Sequence, residues 1–459
     1  MSSSPQELIG LSACEIAKLV RERSVSPHEV LTAFLDRIAR VDGGLGAFEL
    51  LRREAALAEA EALSRRADVG ELPLAGVPVA IKDNVDVAGE PTRHGSRATP
   101  STPAALDHEV VRRLRGAGAI IIGKTRVPEF CAWAWTDGAR GVTRNPWDVT
   151  VTAGGSSGGA AAAVAARMVP LAQGSDAGGS IRVPSAACGL FGIKPGTGVV
   201  PPTANTWFGL SELGPLATTV DDAALALAVM SGRSDLARPI LPERPLRIAV
   251  SLKPPFVGLK LDATYAAAVR RVSELLAGLG HDVSESDPPY GALMLNAAAR
   301  VFAGVAVDAS GLPSSTLEPR SRTEARLGRL VLRFGLVRES GRARWRARAG
   351  AFFGRFDVLL TPALATKPVR AERWSEKSFL ANLSAGSFAP YTGPWNLAGY
   401  PAASVPAGFG DDGFPRAVQV VAPAGAEALV LSVAKQIESA QPWPRYPAAR
   451  LERSWLQGI

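Results

Sequence analysis

Histidine and cysteine are scarce in this chain of 459 residues, and their scarcity removes several chemistries at once. The three cysteines, Cys14, Cys131 and Cys188, are odd in number and show neither a CxxC pair nor Cys/His ligand spacing. A disulfide framework is excluded and no zinc or other metal site is expected. The four histidines are His28 in a helix first turn, His94 in a polar loop, His108 after a helix cap and His281 at the start of a strand. None stands where a serine nucleophile would find its base. No run approaches the ~18 uninterrupted apolar residues of a membrane span, and the opening MSSSPQELIG lacks a basic segment followed by an apolar one. The expectation is a soluble, cytoplasmic protein without a membrane partner. GxxxxGK[ST] and a strand-linked GxGxxG are also missing, which leaves phosphate binding with little support.

What is present is an ordinary globular composition, 47% hydrophobic and 20% charged, with a formal charge of +8. The charge is concentrated between Gly311 and Gly350, where ten arginines face only Glu318, Glu324 and Glu339. Leu327, Leu330, Val331 and Phe334 recur there at helical spacing with Arg326, Arg329 and Arg333 between them. The pattern predicts an amphipathic helix with a packed apolar face and a solvated basic one, so no nucleic-acid partner is expected.

Two capping signals open the chain: Ser12 with Glu15, and Ser26-Pro27-His28-Glu29, the second followed by the stripe Leu31, Phe34, Leu35 and Ile38. Val77 to Ile81 reads as a buried strand, Asp107 as the cap of a helix carrying Val110, Val111 and Leu114, and Ala119 to Ile122 as a second, parallel strand. Alternation continues through an alanine-rich helix at Ala160 to Ala166, strands near Leu246 to Val250 and Asp357 to Leu360, and a helix near Ala263 to Leu279. It ends with a strand at Arg416 to Val421 and a helix at Glu427 to Glu438. The fold class is α/β, a mixed and largely parallel central sheet surrounded by helices. One domain over 5–455 is expected, with an N-terminal helical lobe (5–66), a core (74–230), an α/β extension (231–289), a substrate-facing insertion (about 290–387) and a return to the core (388–445).

The chemistry concentrates between Thr152 and Pro195. Gly154-Gly155-Ser156-Ser157-Gly158-Gly159 is followed by Gly174-Ser175-Asp176-Ala177-Gly178-Gly179-Ser180-Ile181-Arg182. Two such loops can aim several backbone N–H groups at one point, where an anion or oxyanion would sit. A serine nucleophile there needs a base other than histidine. Lys82 closes the apolar run Gly76-Val77-Pro78-Val79-Ala80-Ile81, where desolvation lowers an ammonium pKa; on pattern alone, a surface lysine remains the alternative.

Lys82, the Gly-Gly-Ser-Ser-Gly-Gly segment and Gly178-Gly179-Ser180-Ile181-Arg182, in this order and spacing, resemble the amidase signature family. The resemblance extends over essentially the whole chain, through Gly123-Lys124-Thr125, Thr143-Arg144-Asn145-Pro146-Trp147, Cys188-Gly189 with Lys194-Pro195, and Trp395-Asn396-Leu397. It implies a Ser-Ser-Lys triad of Lys82, Ser156 after a cis peptide, and Ser180 as the acyl-forming nucleophile. It further implies an oxyanion hole of the N–H groups of Ala177, Gly178, Gly179 and Ser180. Ser157 is expected to hydrogen-bond Lys82, and Asp176 to pair with Arg182. The implied activity is hydrolysis of a small-molecule carboxamide without a cofactor, by a monomer or homodimer. Phe130, Trp133, Trp135, Trp207 and Phe208 are candidates for the acyl pocket, with ordinary core packing as the alternative. Ala153 and Ser175 depart from the commoner proline and threonine, which touches loop shape rather than the triad.

Three other readings compete. The chain could be the glutamine-hydrolysing subunit of a transfer-RNA-dependent amidotransferase, which shares the signature. Gly155 to Gly159 also forms a GxSxG elbow, with Ser157 as nucleophile and His281 as its only downstream histidine. A non-enzymatic reading takes 311–350 as a nucleic-acid-binding segment on a decayed hydrolase core.

Overall fold

The computed structural model describes residues 5–448 apart from 257, together with 452, 453 and 455. Eleven strands form one sheet. They are Phe48–Leu51 (β1), Pro78–Lys82 (β2), Ile120–Thr125 (β3), Leu171–Asp176 (β4), Phe191–Lys194 (β5), Glu212–Ala217 (β6), Arg247–Val250 (β7), Asp282–Glu285 (β8), Val358–Pro362 (β9), Ala402–Phe409 (β10) and Pro415–Val421 (β11). The order across the sheet is β1-β3-β2-β4-β6-β5-β10-β11-β9-β7-β8. Parallel pairing is confined to the flanks, β3-β2-β4 on one side and β9-β7-β8 on the other, while the middle is antiparallel. The parallel flanks come from βαβ segments, whereas β10 and β11 are joined by a short turn that only antiparallel strands permit.

Local signals in the first lobe form as the side chains dictate. Ser12 and Ser26 each make a full capping box, and Leu31, Phe34, Leu35 and Ile38 are buried on the helix Pro27–Leu45. The cap of the helix Glu109–Gly116 is one residue later than expected. His108 Nδ1 accepts the N–H of Val110, while Asp107 is drawn off to accept the N–H of Ala88 and to pair with Arg115.

The arginine-rich helix forms over Pro319–Arg333 but packs on the opposite face from the one its leucines predict. Leu330 and Phe334 are 50% and 66% exposed, whereas Ser321, Glu324, Ala325 and Gly328 are buried. The reason is closeness of approach. A Cβ on Gly328 would stand 1.9 Å from the carbonyl oxygen of Phe302, on the helix Leu295–Asp308, so the small residues at 321, 325 and 328 make the seam. Leucines cannot enter a gap that narrow. Not all the arginines are solvated either. Arg320 and Arg342 are buried, the latter donating to the carbonyls of Leu397 and Gly209.

The parallel pair β2-β4 positions the site. The strands run in register, Ala80 beside Ala172 and Ile81 beside Gln173, so both C-terminal ends open on the same side of the sheet. Lys82 and Asp176 close the two strands, at the end where α/β sheets place their ligands. No helix among the described residues is long and apolar enough to cross a membrane.

Candidate active site

Every residue of β2 is buried, and Lys82 is fully enclosed. Its Nζ lies 2.7 Å from Ser156 Oγ, 2.8 Å from Ser175 Oγ and 3.2 Å from the carbonyl oxygen of Ser175. A neutral amine has two N–H donors and one lone pair, and these three contacts use all three, with the carbonyl able only to accept. Among the described residues, no carboxylate lies within ion-pair distance of it. Burial pushes the Lys82 pKa down, against weaker opposing pulls from Cys131 and Asp176, which favours the neutral form.

Ser156 is reached through a turn that only glycine allows. The Gly155-Ser156 peptide is cis, and a Cβ on Gly155 would lie 2.6 Å from both the backbone nitrogen and oxygen of Trp135. Ser156 is completely buried, as is Ser157. The expected bond from Ser157 to Lys82 does not form. Ser157 sits at the residue before the helix Gly158–Ala165 without capping it through its side chain, and aims its hydroxyl at β4, donating to the carbonyl of Ser175 at 3.2 Å. Ser175 takes the lysine instead, steadied by Asn84 Nδ2 at 3.1 Å. Alternation along a strand end carried no warning that residue 175 faces the base.

The loop after β4 carries Ser180. Asp176 and Arg182 lock it from below, both 0% exposed, with Nε and Nη2 of Arg182 each 2.9 Å from a carboxylate oxygen. Arg182 also donates to the carbonyl of Thr392 and to Gln419 Oε1, and Asn396 Nδ2 donates to Asp176. Burial alone would raise the Asp176 pKa, but the guanidinium holds it well below the usual carboxylate range. The pair therefore remains ionised, and its worth lies in fixing geometry.

One donor of the implied oxyanion hole is already spent. The N–H of Gly179 donates to Asp176 Oδ1 at 2.6 Å, which its φ of +136° permits. Among the described residues, the N–H groups of Ala177, Gly178 and Ser180 have no such acceptor, which leaves three of the four expected donors free.

Ser180 stands where two cavities meet. One, of about 240 Å³, is the more polar of the two and includes Asn84, Asp86, His94, Ser156, Asn205 and Asp308 in its walls. The other, of about 110 Å³, runs beneath Trp133, Trp207, Val183 and Val301 and carries Ala177 to Ser180 along its floor. Phe130 lines the first and Trp207 both. The remaining two pocket candidates line neither. Trp135 is fully buried behind Trp133, with ring centroids 5.2 Å apart, and Phe208 turns its carbonyl to the Arg300 guanidinium. Cys131, half-buried, borders both cavities, and burial pushes its thiol up to about 11.

His281 is far from this centre in its bonding. Its Nδ1 accepts from the N–H of Leu246 and its Nε2 meets Gln436 Oε1 at 2.9 Å, so it offers Ser157 no base and the elbow reading falls. Among the described residues, no group of acidic, histidine or cysteine side chains is arranged to hold a metal ion.

A family model described as Amidase matches residues 29–431. The mycobacterial protein AmiB2 of Mycobacterium tuberculosis, provisionally named an amidase, is 43% identical over 455 residues, covering 96% of this chain and 98% of that one. An acylamidase of Rhodococcus erythropolis is 36% identical over 472 residues, covering 95% and 97%. The structure of 6-aminohexanoate cyclic dimer hydrolase superposes with a TM-score of 0.83 at 29% identity, over 95% of this chain and 98% of that one.

Proposed function

The chain belongs to the amidase family and acts on carbon–nitrogen bonds of non-peptide amides, and from that premise we propose that Ser180 is its nucleophile, served by Ser156 and Lys82. The observation that carries this reading is the 2.7 Å contact between Ser156 Oγ and a buried lysine that, among the described residues, has no carboxylate partner. Neutral Lys82 accepts the Ser156 proton as Ser156 accepts that of Ser180. Ser180 Oγ then attacks the amide carbon. The N–H groups of Ala177, Gly178 and Ser180 receive the negative oxygen; loss of one such donor typically costs about 3 to 4 kcal/mol in the transition state. Collapse returns the proton through Ser156 to the departing nitrogen, the C–N bond breaks, and an ester on Ser180 remains. Water, deprotonated along the same relay, releases the carboxylic acid.

The amidotransferase reading is less well supported. Glutamine brings a free carboxylate into the site, and among the described residues neither cavity is lined by an arginine or lysine to receive it. Hydrolysis of a neutral acyl anilide tests the proposal. Activity lost in both Ser180→Ala and Lys82→Ala, with the fold retained by circular dichroism, supports it; activity retained in Ser180→Ala overturns it.

A further inference from the structure

The two cavities are not equivalent with respect to the proton relay. Ser156 and Ser175 line the polar cavity, whereas the apolar one reaches only Gly155 and the oxyanion loop. The nitrogen that departs must be protonated by Ser156, so the leaving amine belongs in the polar cavity and the acyl group in the apolar one. This assignment rests on the function proposed above.

The polar cavity holds an aspartate, Asp308, and is lined by no lysine or arginine among the described residues. Asp308 is the last residue of the helix Leu295–Asp308, where the helix dipole already places negative potential. Its two carboxylate oxygens accept from neutral donors only, Asn205 Nδ2 at 2.7 Å and Trp207 Nε1 at 2.8 Å. Burial raises the Asp308 pKa, opposed by these two hydrogen bonds and by His94, which lines the same cavity. Asp86 adds a second carboxylate at the rim, its Oδ1 accepting from Thr92. His94 and His108 are the basic side chains on the cavity wall, and the rings of Phe130 and Trp207 lie beside them. A carboxylate held by neutral donors, at the negative end of a helix and facing an open cavity, is matched by a cation from outside.

We propose that the substrates are monoacylated diamines, an apolar acyl group amide-linked to an amine whose second, protonated amino group is received by Asp308. The reaction would release a carboxylic acid and a diamine. Asp308 is then the residue that sets leaving-group specificity.

The test compares butyryl-diaminobutane with butyryl-pentylamide, in which a methyl group replaces the ammonium. In the wild type, kcat/KM for the cationic amide is expected to exceed that for the neutral one by about tenfold or more, and Asp308→Asn should bring the ratio to within about twofold. A wild-type ratio near one, or a ratio that Asp308→Asn leaves in place, overturns the inference. Calorimetric binding of the pentylammonium ion, with pentanol as control, reads the same subsite without turnover. Binding of the ion in preference to pentanol, weakened in Asp308→Asn, supports the subsite; equal binding of the two contradicts it. If the wild type cleaves neither amide, the proposed hydrolysis fails while the binding measurement still decides the role of Asp308.

Discussion

Ser175 Oγ lies 2.8 Å from Lys82 Nζ, and the carbonyl of the same serine lies 3.2 Å from it, so one residue of β4 grips the buried lysine twice. The grip leaves the third direction of the amine to Ser156, 2.7 Å away. Ser175→Ala removes the hydroxyl contact and keeps the carbonyl. We expect kcat to fall by roughly 10- to 100-fold, the worth of a hydrogen bond of about 1.5 to 3 kcal/mol to a group that becomes charged during turnover. Steady-state kinetics beside a circular dichroism spectrum checks it.

The pH profile should carry the mark of a buried lysine. Burial lowers the Lys82 pKa, and only the neutral amine can accept the Ser156 proton. Activity is therefore expected to rise with pH through the lowered pKa and to level off below the ordinary lysine value of about 10.4. It should fall again on acidification as Lys82 is protonated. A rate-against-pH series on a neutral anilide reads this limb, and Lys82→Arg, which stays protonated throughout, should show no active plateau.

Asp176→Asn strands a buried guanidinium. Both members of the pair are 0% exposed, and breaking one partner of such a pair costs about 3 to 5 kcal/mol. The variant should unfold at markedly lower urea concentration than the wild type. Adding Arg182→Met, which removes the stranded guanidinium, should recover part of the stability while leaving the Ser180 loop without its anchor.

The packing face of the helix Pro319–Arg333 is open to a direct comparison. Gly328→Ala forces a Cβ to within 1.9 Å of the Phe302 carbonyl and must push two helices apart, whereas Leu330→Gln changes a side chain that is half exposed. Overpacking of this kind costs about 1 to 3 kcal/mol, against ~0.5 kcal/mol or less for the surface change. Thermal melts of the two variants are expected to separate accordingly.

What the sequence made legible follows from the range of the interactions involved. Capping boxes at Ser12 and Ser26 and the buried strand ending in Lys82 depend on neighbours a few residues apart, and they form where the pattern places them. The glycine and serine loops were legible because few other residues fit there, as the space around Gly155 illustrates. Long-range choices were not. Whether Ser157 or Ser175 faces Lys82 depends on how β4 lies beside β2, and whether leucines or small residues of the arginine-rich helix are buried depends on how near another helix comes. The same holds for Gly179, whose N–H could serve an oxyanion until Asp176 is seen to occupy it. Trp135 and Phe208, candidates for the acyl pocket from the family resemblance, line neither cavity, and sequence cannot tell a lining ring from one stacked behind it.

The central claim is that Ser180, and no other serine, is the nucleophile. Intact mass spectrometry after exposure to a fluorophosphonate probe tests it most directly, applied to the wild type, Ser180→Ala, Ser157→Ala and His281→Ala. A single adduct on the wild type, lost in Ser180→Ala and kept in His281→Ala and Ser157→Ala, is the expected result. An adduct that persists in Ser180→Ala would contradict the assignment of the nucleophile and the relay built upon it.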